Sequence, residues 1–410
     1  MIGIFENVAD DPSRHLDFSI PNHSIISLDS SFNPNTISIR LATILKIEEL
    51  EIKKFKEKYF NEKLLNFLRE DNKVYFMLFF ATEGFPLSMQ NFKLLRFLKE
   101  LETTVPSKKI LTVFGDLNFK QTVQKYYKEY PDLKTDIPME NFLSYNHFER
   151  LCSIWSNSNS YNPLPYIFKT KNLKKYFVYK NGNMRLSRLF TLCFLKTNNL
   201  LSKGYYSVLD QHNLANSYTR ESFNLLMSRH TIDYHSYYSN YKEILKEMPI
   251  ELDIKKDSRQ QSELPVFPAK YYKDSAFEIV VETNTDEFND GTFCITEKTF
   301  FPMFYRIPAL ILGPRGTYRY LNDNNYATFS ELFNLEFDDE PDYFKRTEMF
   351  AREILRLLEI PLYVFEDIIN SDNFQNKLNH NFNQLRKAVT NSDSPSLRSP
   401  LEEELYEKFG

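Results

Sequence analysis

Thr296, Glu297 and Lys298 stand at the head of an otherwise apolar stretch, "GTFCITEKTFFPMFYRIPALILGP", Gly291 to Pro314. Threonine is a favoured N-cap, so Glu297 and Lys298 fall in the first turn of a helix. Backbone N–H groups at a helix start attract an anion, and Lys298 adds a point charge, while Glu297 can accept two hydrogen bonds from a ribose diol. On spacing alone, a dipole-favoured Glu and a solvated Lys account for the pair equally well. Arg185 and Arg188 stand near the start of a second helical run, where a guanidinium can grip two phosphate oxygens at once. Taken alone, most arginines so placed are surface residues. Glu83 in "FFATEGFP" and Asp116 in "FGDLNF" each follow an apolar run, where a carboxylate can take the proton of a reacting hydroxyl. Glu83 is the first choice, because Gly84 lets backbone approach a ligand closely. Each also reads as a cap of the helix that follows it.

The elements that must position these residues alternate. "HSIISLD" (His23 to Asp29), "KVYFMLFF" (Lys73 to Phe80) and "KKILTVFGD" (Lys108 to Asp116) are short apolar runs that read as buried parallel strands. Between them, Ile47 to Glu70 and Met89 to Glu102 carry apolar residues at three-to-four spacing and read as amphipathic helices. A second series opens near Lys174: strand "KKYFVYKN", helix Arg185 to Leu200, strand "GYYSVLD", helix "RESFNLLMSRH", then strands "AFEIVVET" and "PALILG". Two consecutive series in one chain read as two Rossmann-like lobes facing a central cleft. Residues 1–165 form the N-terminal lobe and 166–340 the C-terminal lobe. Helices over 341–390 pack back across the lobes, and 391–410 is a polar tail whose "NSDSPSLRSP" is a linker composition.

A chain of 410 residues is long enough for two such cores. A formal charge of −4 marks no dedicated polyanion binder, and it excludes no local basic groove. Three cysteines without CxxC spacing, and seven histidines without HxH or HExxH spacing, give neither a disulfide framework nor a metal site. The "DDE" of Asp338 to Glu340 reads as a solvated acidic loop. "HTIDYHSYYSNY", His230 to Tyr241, can stack on a sugar or a nucleobase, although a Tyr-rich loop packed on its own domain is the commoner case. No apolar run is long enough to span a membrane and the N-terminus lacks the order of a signal peptide, so the expected compartment is the cytoplasm. The abundance of Phe, Tyr, Lys and Asn is that of AT-rich coding, as in many viruses.

The segment "FEIVVETNTDEFNDGTFCITEKTFFPMFYRIPALILGP" resembles the donor-binding segment of the fucosyltransferases of glycosyltransferase family 10. In that family a strand ending Phe-Glu-Asn leads to a Tyr-Ile-Thr-Glu-Lys helix start and then to Pro-Val-Val-Leu-Gly-Pro. Here Phe277 to Glu282 matches loosely, Ile295 to Lys298 residue by residue, and Ile307 to Pro314 along the following strand. "KKYFVYKNGNMRLSRLFTLCFL" is similar to the opening of the family's donor lobe, a strand ending in Asn followed by an Arg at a helix start.

The resemblance implies a GT-B fold and an inverting transfer that needs no metal or other cofactor. The donor is a nucleotide sugar; the acceptor hydroxyl belongs to a glycan, or to a hydroxylated base in viral or phage DNA, the cytoplasm then being the host's. It carries Arg185 over as a diphosphate ligand, with Arg188 as its substitute, Lys298 and Glu297 as diphosphate and ribose contacts, and Glu282, Asn284 and Thr296 as donor-binding positions. Glu83 or Asp116 would serve as the base. Three departures, Val281-Glu282-Thr283 in place of Phe-Glu-Asn, a longer loop before Thr296, and Pro302, which is expected to interrupt the helix after Lys298, leave GDP-, UDP- and CMP-linked donors all open. A non-catalytic nucleotide- or glycan-binding protein of the same fold is the alternative, as is a purely structural viral protein.

Overall fold

The computed structural model describes residues 5–6, 26–27, 39–40, 62–70, 76–80, 92–144, 146, 148–149, 152–153, 156, 172–181, 185–208, 240, 243–244, 246–247, 250, 269–285 and 291–390. By its contacts the chain divides into unit 1, made of Met1–Ser153, Asp286–Ile295 and Lys387–Gly410, and unit 2, made of Ile154–Thr285 and Thr296–Arg386. The expected helix at "RESFNLLMSRH", the tyrosine-rich loop apart from Asn240, and the tail lie outside the described residues.

In unit 1, β1 (Phe5–Glu6) pairs in parallel with β2 (Ile26–Ser27). A second parallel sheet runs in sequential order through β3 (Ile39–Arg40), β4 (Phe76–Phe80), β5 (Ile110–Phe114) and β6 (Phe142–Ser144). Every residue of β5 is buried. That is why it reads as an unbroken apolar run: a parallel strand with both faces covered has no solvent face to keep polar. Helix α1 spans Glu62–Glu70, α2 Lys93–Leu101 and α3 Phe119–Glu129. Helix α2 buries Leu94, Leu95, Phe97, Leu98 and Leu101 and leaves Arg96, Lys99 and Glu100 outside, a stripe at helical spacing. The core is continuous through Phe114, stacked on Phe119 at 4.6 Å, and Phe142, edge-on to Phe119 at 5.6 Å. Truncating a buried ring of this kind to Ala costs about 3–5 kcal/mol.

In unit 2, β7 (Lys175–Asn181), β8 (Gly204–Val208), β9 (Ser275–Val281) and β10 (Ala309–Leu312) form a parallel sheet in the order β10-β9-β7-β8. The chain passes from β7 out to β8 and returns on the other side of β7 to β9. Strand order therefore reverses between β7 and β9, and open parallel sheets take their ligands outside the carboxyl ends at such a point. Gly204 pairs with Phe177, whose ring lies 2.1 Å from where a Cβ would stand, so only glycine fits.

Helices α4 (Leu186–Thr197), α5 (Ala269–Lys273), α6 (Glu297–Phe304) and α7 (Thr317–Asp323) accompany this sheet. They are followed by α8 (Tyr343–Glu359), α9 (Leu362–Asn370) and α10 (Asp372–Thr390). Helix α9 lays Phe365 on this unit's own sheet, stacked on Phe277 at 5.9 Å and edge-on to Tyr176 at 6.0 Å.

Two local expectations change. Helix α6 runs through Pro302 and closes two residues later in a Schellman motif. The Ile307 N–H donates to the Pro302 carbonyl at 2.9 Å and the Arg306 N–H to Met303 at 3.2 Å, with Arg306 left-handed at φ 50°. Asp338 is buried rather than solvated, because its carboxylate accepts the Tyr318 N–H at 2.9 Å in the first turn of α7.

Candidate functional site

The reversal point is built from the ends of β7 and β9 and the starts of the helices that follow them. Strand β7 ends at Asn181, 2% exposed, and neither its amide nitrogen nor its amide oxygen has a hydrogen-bond partner among the described residues. The Tyr179 hydroxyl, on the same face and close enough to interact with Asn181, donates its one hydrogen to the Arg188 carbonyl at 2.9 Å and so has none for the Asn181 amide oxygen. An unpaired buried amide is disfavoured by about 1–3 kcal/mol per group, which sets Asn181 apart from the other buried polar residues at this strand end. Four residues on, Arg185 is the N-cap of α4 in extended conformation. It makes no side-chain bond to the first turn, and its Nε is buried without a partner among the described residues.

The start of α4 is fixed by buried polar contacts. Arg188, 1% exposed, donates from Nε to the Val281 carbonyl at 2.9 Å and from its terminal nitrogen to Thr283 Oγ1 at 3.1 Å, tying α4 to the end of β9. Burial lowers the pKa of this guanidinium, Glu282 and Glu297 oppose that as attracting charges, and Arg185 adds to it as a like charge. Ser187 Oγ lies 2.6 Å from Thr285 Oγ1 and 2.7 Å from Tyr343 Oη, so the first turn of α4 is also tied to that of α8. Arg346 of α8 donates to the Thr285 carbonyl at 2.5 Å.

The second helix start rests on Glu282. This carboxylate, fully buried, accepts the Thr296 N–H at 3.1 Å, the Thr299 N–H at 3.2 Å and the Thr299 hydroxyl at 2.6 Å on one oxygen. The other oxygen takes the Thr296 hydroxyl at 2.5 Å and the Thr283 N–H at 3.2 Å. Thr296 caps α6 in turn, accepting the Lys298 N–H at 3.4 Å. The Lys298 ammonium is turned onto Glu297 at 2.5 Å and Thr296 Oγ1 at 3.3 Å. Burial pushes the Glu297 carboxyl up, but Lys298 and Arg188 more than offset this and hold it below the usual carboxylate range. Asn284 is buried beside this loop.

Unit 2 thus brings Arg185, Arg188, Glu282, Asn284, Thr296, Glu297 and Lys298 to the carboxyl ends of β7 and β9. Two roles separate there: Arg188 and Glu282 are buried braces, and Arg185, Glu297 and Lys298 carry the partly exposed charge. Asp116 lies in unit 1, fully buried. It accepts the Asn118 N–H at 2.9 Å, the Thr122 hydroxyl at 2.9 Å and the Phe293 N–H at 2.8 Å, so it fixes the start of α3 and holds the Gly291–Ile295 segment. Glu83 lies outside the described residues. Asn181, Ser187, Thr285 and Tyr343 are site residues that spacing does not single out. Only Asn181 leaves a local signal, a polar residue closing an apolar strand.

Among the described residues no helix is long and apolar enough to cross a membrane, and no group of three or more His, Cys, Asp or Glu is placed to hold a metal ion. No protein-family model, curated protein or solved structure matches the chain.

Proposed function

We propose that the chain is an inverting, metal-independent glycosyltransferase of two-lobed GT-B arrangement that takes a nucleotide-sugar donor in unit 2. The observation that carries this is Asn181: a buried amide with both atoms unpaired, at the reversal point of a parallel sheet, four residues before an arginine at a helix start. The Thr-Glu-Lys start of α6 at the neighbouring strand end adds to it. Arg185 and the first turn of α4 take the diphosphate, a use of guanidinium and helix terminus that suits a doubly charged group. Lys298 swings from Glu297 to the phosphates, which leaves the Glu297 carboxylate for the ribose hydroxyls.

In the reaction the acceptor oxygen attacks the anomeric carbon as the bond from that carbon to the phosphate oxygen breaks. The hydroxyl proton passes to a carboxylate, Glu83 by first choice and Asp116 by second. The leaving phosphate keeps the electron pair, and Arg185 and Lys298 hold its charge. The acceptor is a glycan or a hydroxylated base in DNA.

The test is a thermal-shift screen over GDP-, UDP- and CMP-sugars, since a ligand bound only by the folded state raises its melting temperature. One class should raise Tm in the wild type and not in Arg185→Ala. Binding without transfer is the second reading, favoured by Asp116, whose two oxygens are already engaged inside unit 1. Donor turnover by the purified protein separates the two.

A further inference from the structure

Next to Asn181, on the opposite face of β7, stands an ion pair that no role described so far uses. The Lys180 ammonium lies 3.1 Å from Glu278 Oε1 of β9 and hydrogen-bonds the Tyr272 hydroxyl of α5. Three rings surround it, with centroids at 4.8 Å for Tyr272, 5.2 Å for Phe301 and 6.0 Å for Tyr305. Tyr272 and Tyr305 are stacked at 4.0 Å with 12° between their planes, which closes one side. Glu278 is 3% exposed in a strand whose other residues are all buried, and its second oxygen has no partner among the described residues. A carboxylate in the centre of a parallel sheet is strongly disfavoured unless a cation meets it. An ammonium among aromatic faces and a carboxylate is a cation cage, filled here by the chain's own side chain.

The position of the cage gives it a use. Alternation along β7 sends Lys180 to the face covered by α6 and Asn181 to the face of α4, where Tyr179 bonds Arg188. Glu278 pairs across from Val178 in β9, while Phe301 and Tyr305 belong to α6 and its C-cap. One ammonium therefore joins the last turn of sheet before Asn181 to the helix that presents Glu297 and Lys298. We propose that Lys180, caged by Glu278, Tyr272, Phe301 and Tyr305, is the positioning residue that sets the end of β7 and the start of α6 at a fixed spacing, and so sets the affinity of the crevice for a diphosphate. The affinity part rests on the function proposed above; the positioning part stands without it.

The experiment uses the full chain with Lys180→Ala, Lys180→Met, Glu278→Gln and the double variant Lys180→Met/Glu278→Gln. Amide exchange is read at Asn181 and Thr299–Phe301, with β4 and β5 of unit 1 as the internal reference; binding of inorganic pyrophosphate is read by calorimetry. Lys180→Met strands a buried carboxylate, so exchange at Asn181 and in α6 should rise on the order of tenfold with unit 1 unchanged, and the double variant should recover most of it. Ethylammonium, supplied to Lys180→Ala, should refill the cage and restore protection, which a plain packing defect does not allow. Pyrophosphate affinity should fall with Lys180→Met and return in the double variant and under ethylammonium. Unchanged exchange in Lys180→Met, or no recovery by either route, overturns the positioning role. Recovery of exchange with pyrophosphate affinity equal in all variants overturns the link to the crevice and keeps the lock; exchange as expected with no pyrophosphate bound by the wild type overturns the functional reading alone.

Discussion

The Thr296 hydroxyl donates to the Glu282 carboxylate at 2.5 Å while the Thr296 N–H donates to its other oxygen at 3.1 Å, so one buried acid at the end of β9 sets the cap of the helix that follows it. Glu282 acts from outside α6 as a second cap, because Thr299 two residues into the helix gives it both its N–H and its hydroxyl.

Glu282→Gln should therefore be among the most damaging isosteric changes in unit 2. The amide replaces an oxygen that accepts bonds with an NH2 that faces donors, and a hydrogen bond to a buried charge contributes about 1.5–3 kcal/mol. We expect a loss of about 3 kcal/mol in urea unfolding. Thr299→Val, which removes one donor and leaves the carboxylate its other bonds, should lose about 1 kcal/mol. Equal effects of the two would contradict the bracing role.

Asp338 predicts a pH dependence. Burial pushes its carboxyl up to about 6, against the Tyr318 N–H, which lowers it. Between pH 4 and 6 the folded chain then binds this proton and the unfolded chain has released it, so this group's contribution falls as pH rises through that window. The full extent is on the order of 3 kcal/mol, present below pH 4 and absent above about pH 6. Asp338→Asn keeps an oxygen for the Tyr318 N–H and cannot titrate. The difference in unfolding free energy between wild type and variant should therefore change across pH 4–6 and be flat above pH 7; a difference independent of pH would refute this.

Arg306 tests backbone strain. It holds the left-handed position after α6 that glycine usually takes, and its guanidinium lies 3.8 Å from the Phe382 ring centroid. Arg306→Ala loses that contact and keeps the strain; Arg306→Gly loses the contact and relieves it. Gly should be more stable than Ala here by about 1 kcal/mol in thermal unfolding.

How far the sequence discloses this molecule depends on the range of each interaction. The strands Ile110–Phe114, Ser275–Val281 and Ala309–Leu312 can be read locally, because burial on both faces leaves little polar alternation, and Lys175–Asn181 is legible from its buried centre Phe177–Tyr179. Strand Phe142–Ser144 leaves no local signal, since three residues after a 3-10 turn carry no period. The Thr296 cap follows from residue type and place. The roles of Arg188 and Glu282 do not, because they are decided by residues up to 95 positions away, at Thr283 for Arg188. Asp116 is likewise engaged from Phe293, 177 positions on. Nothing local separates such a brace from a ligand-binding arginine or a catalytic carboxylate. Asp338 differs from its expected solvated place for the same reason: an acidic run looks solvated until the helix start it caps is known.

Arg185 carries little of the fold, because it makes no side-chain cap bond and its Nε meets no partner among the described residues. Arg185→Ala should change unfolding free energy by less than about 0.5 kcal/mol, the usual range for a side chain without such a feature. It should weaken diphosphate-bearing ligands by about ten- to hundredfold, the range of one or two charge-assisted bonds. Lys298→Ala should lose affinity similarly. A variant that unfolds before it loses binding would place Arg185 among the braces.

The most direct test is a crystal structure of the chain with whichever nucleotide sugar raises its melting temperature. The proposed function predicts the diphosphate against the first turn of α4, with the Arg185 guanidinium on its oxygens, the Asn181 amide hydrogen-bonded to the ligand, and Lys298 turned from Glu297 toward the phosphates. A ligand bound elsewhere, with Arg185 and Asn181 paired to protein groups, would contradict it.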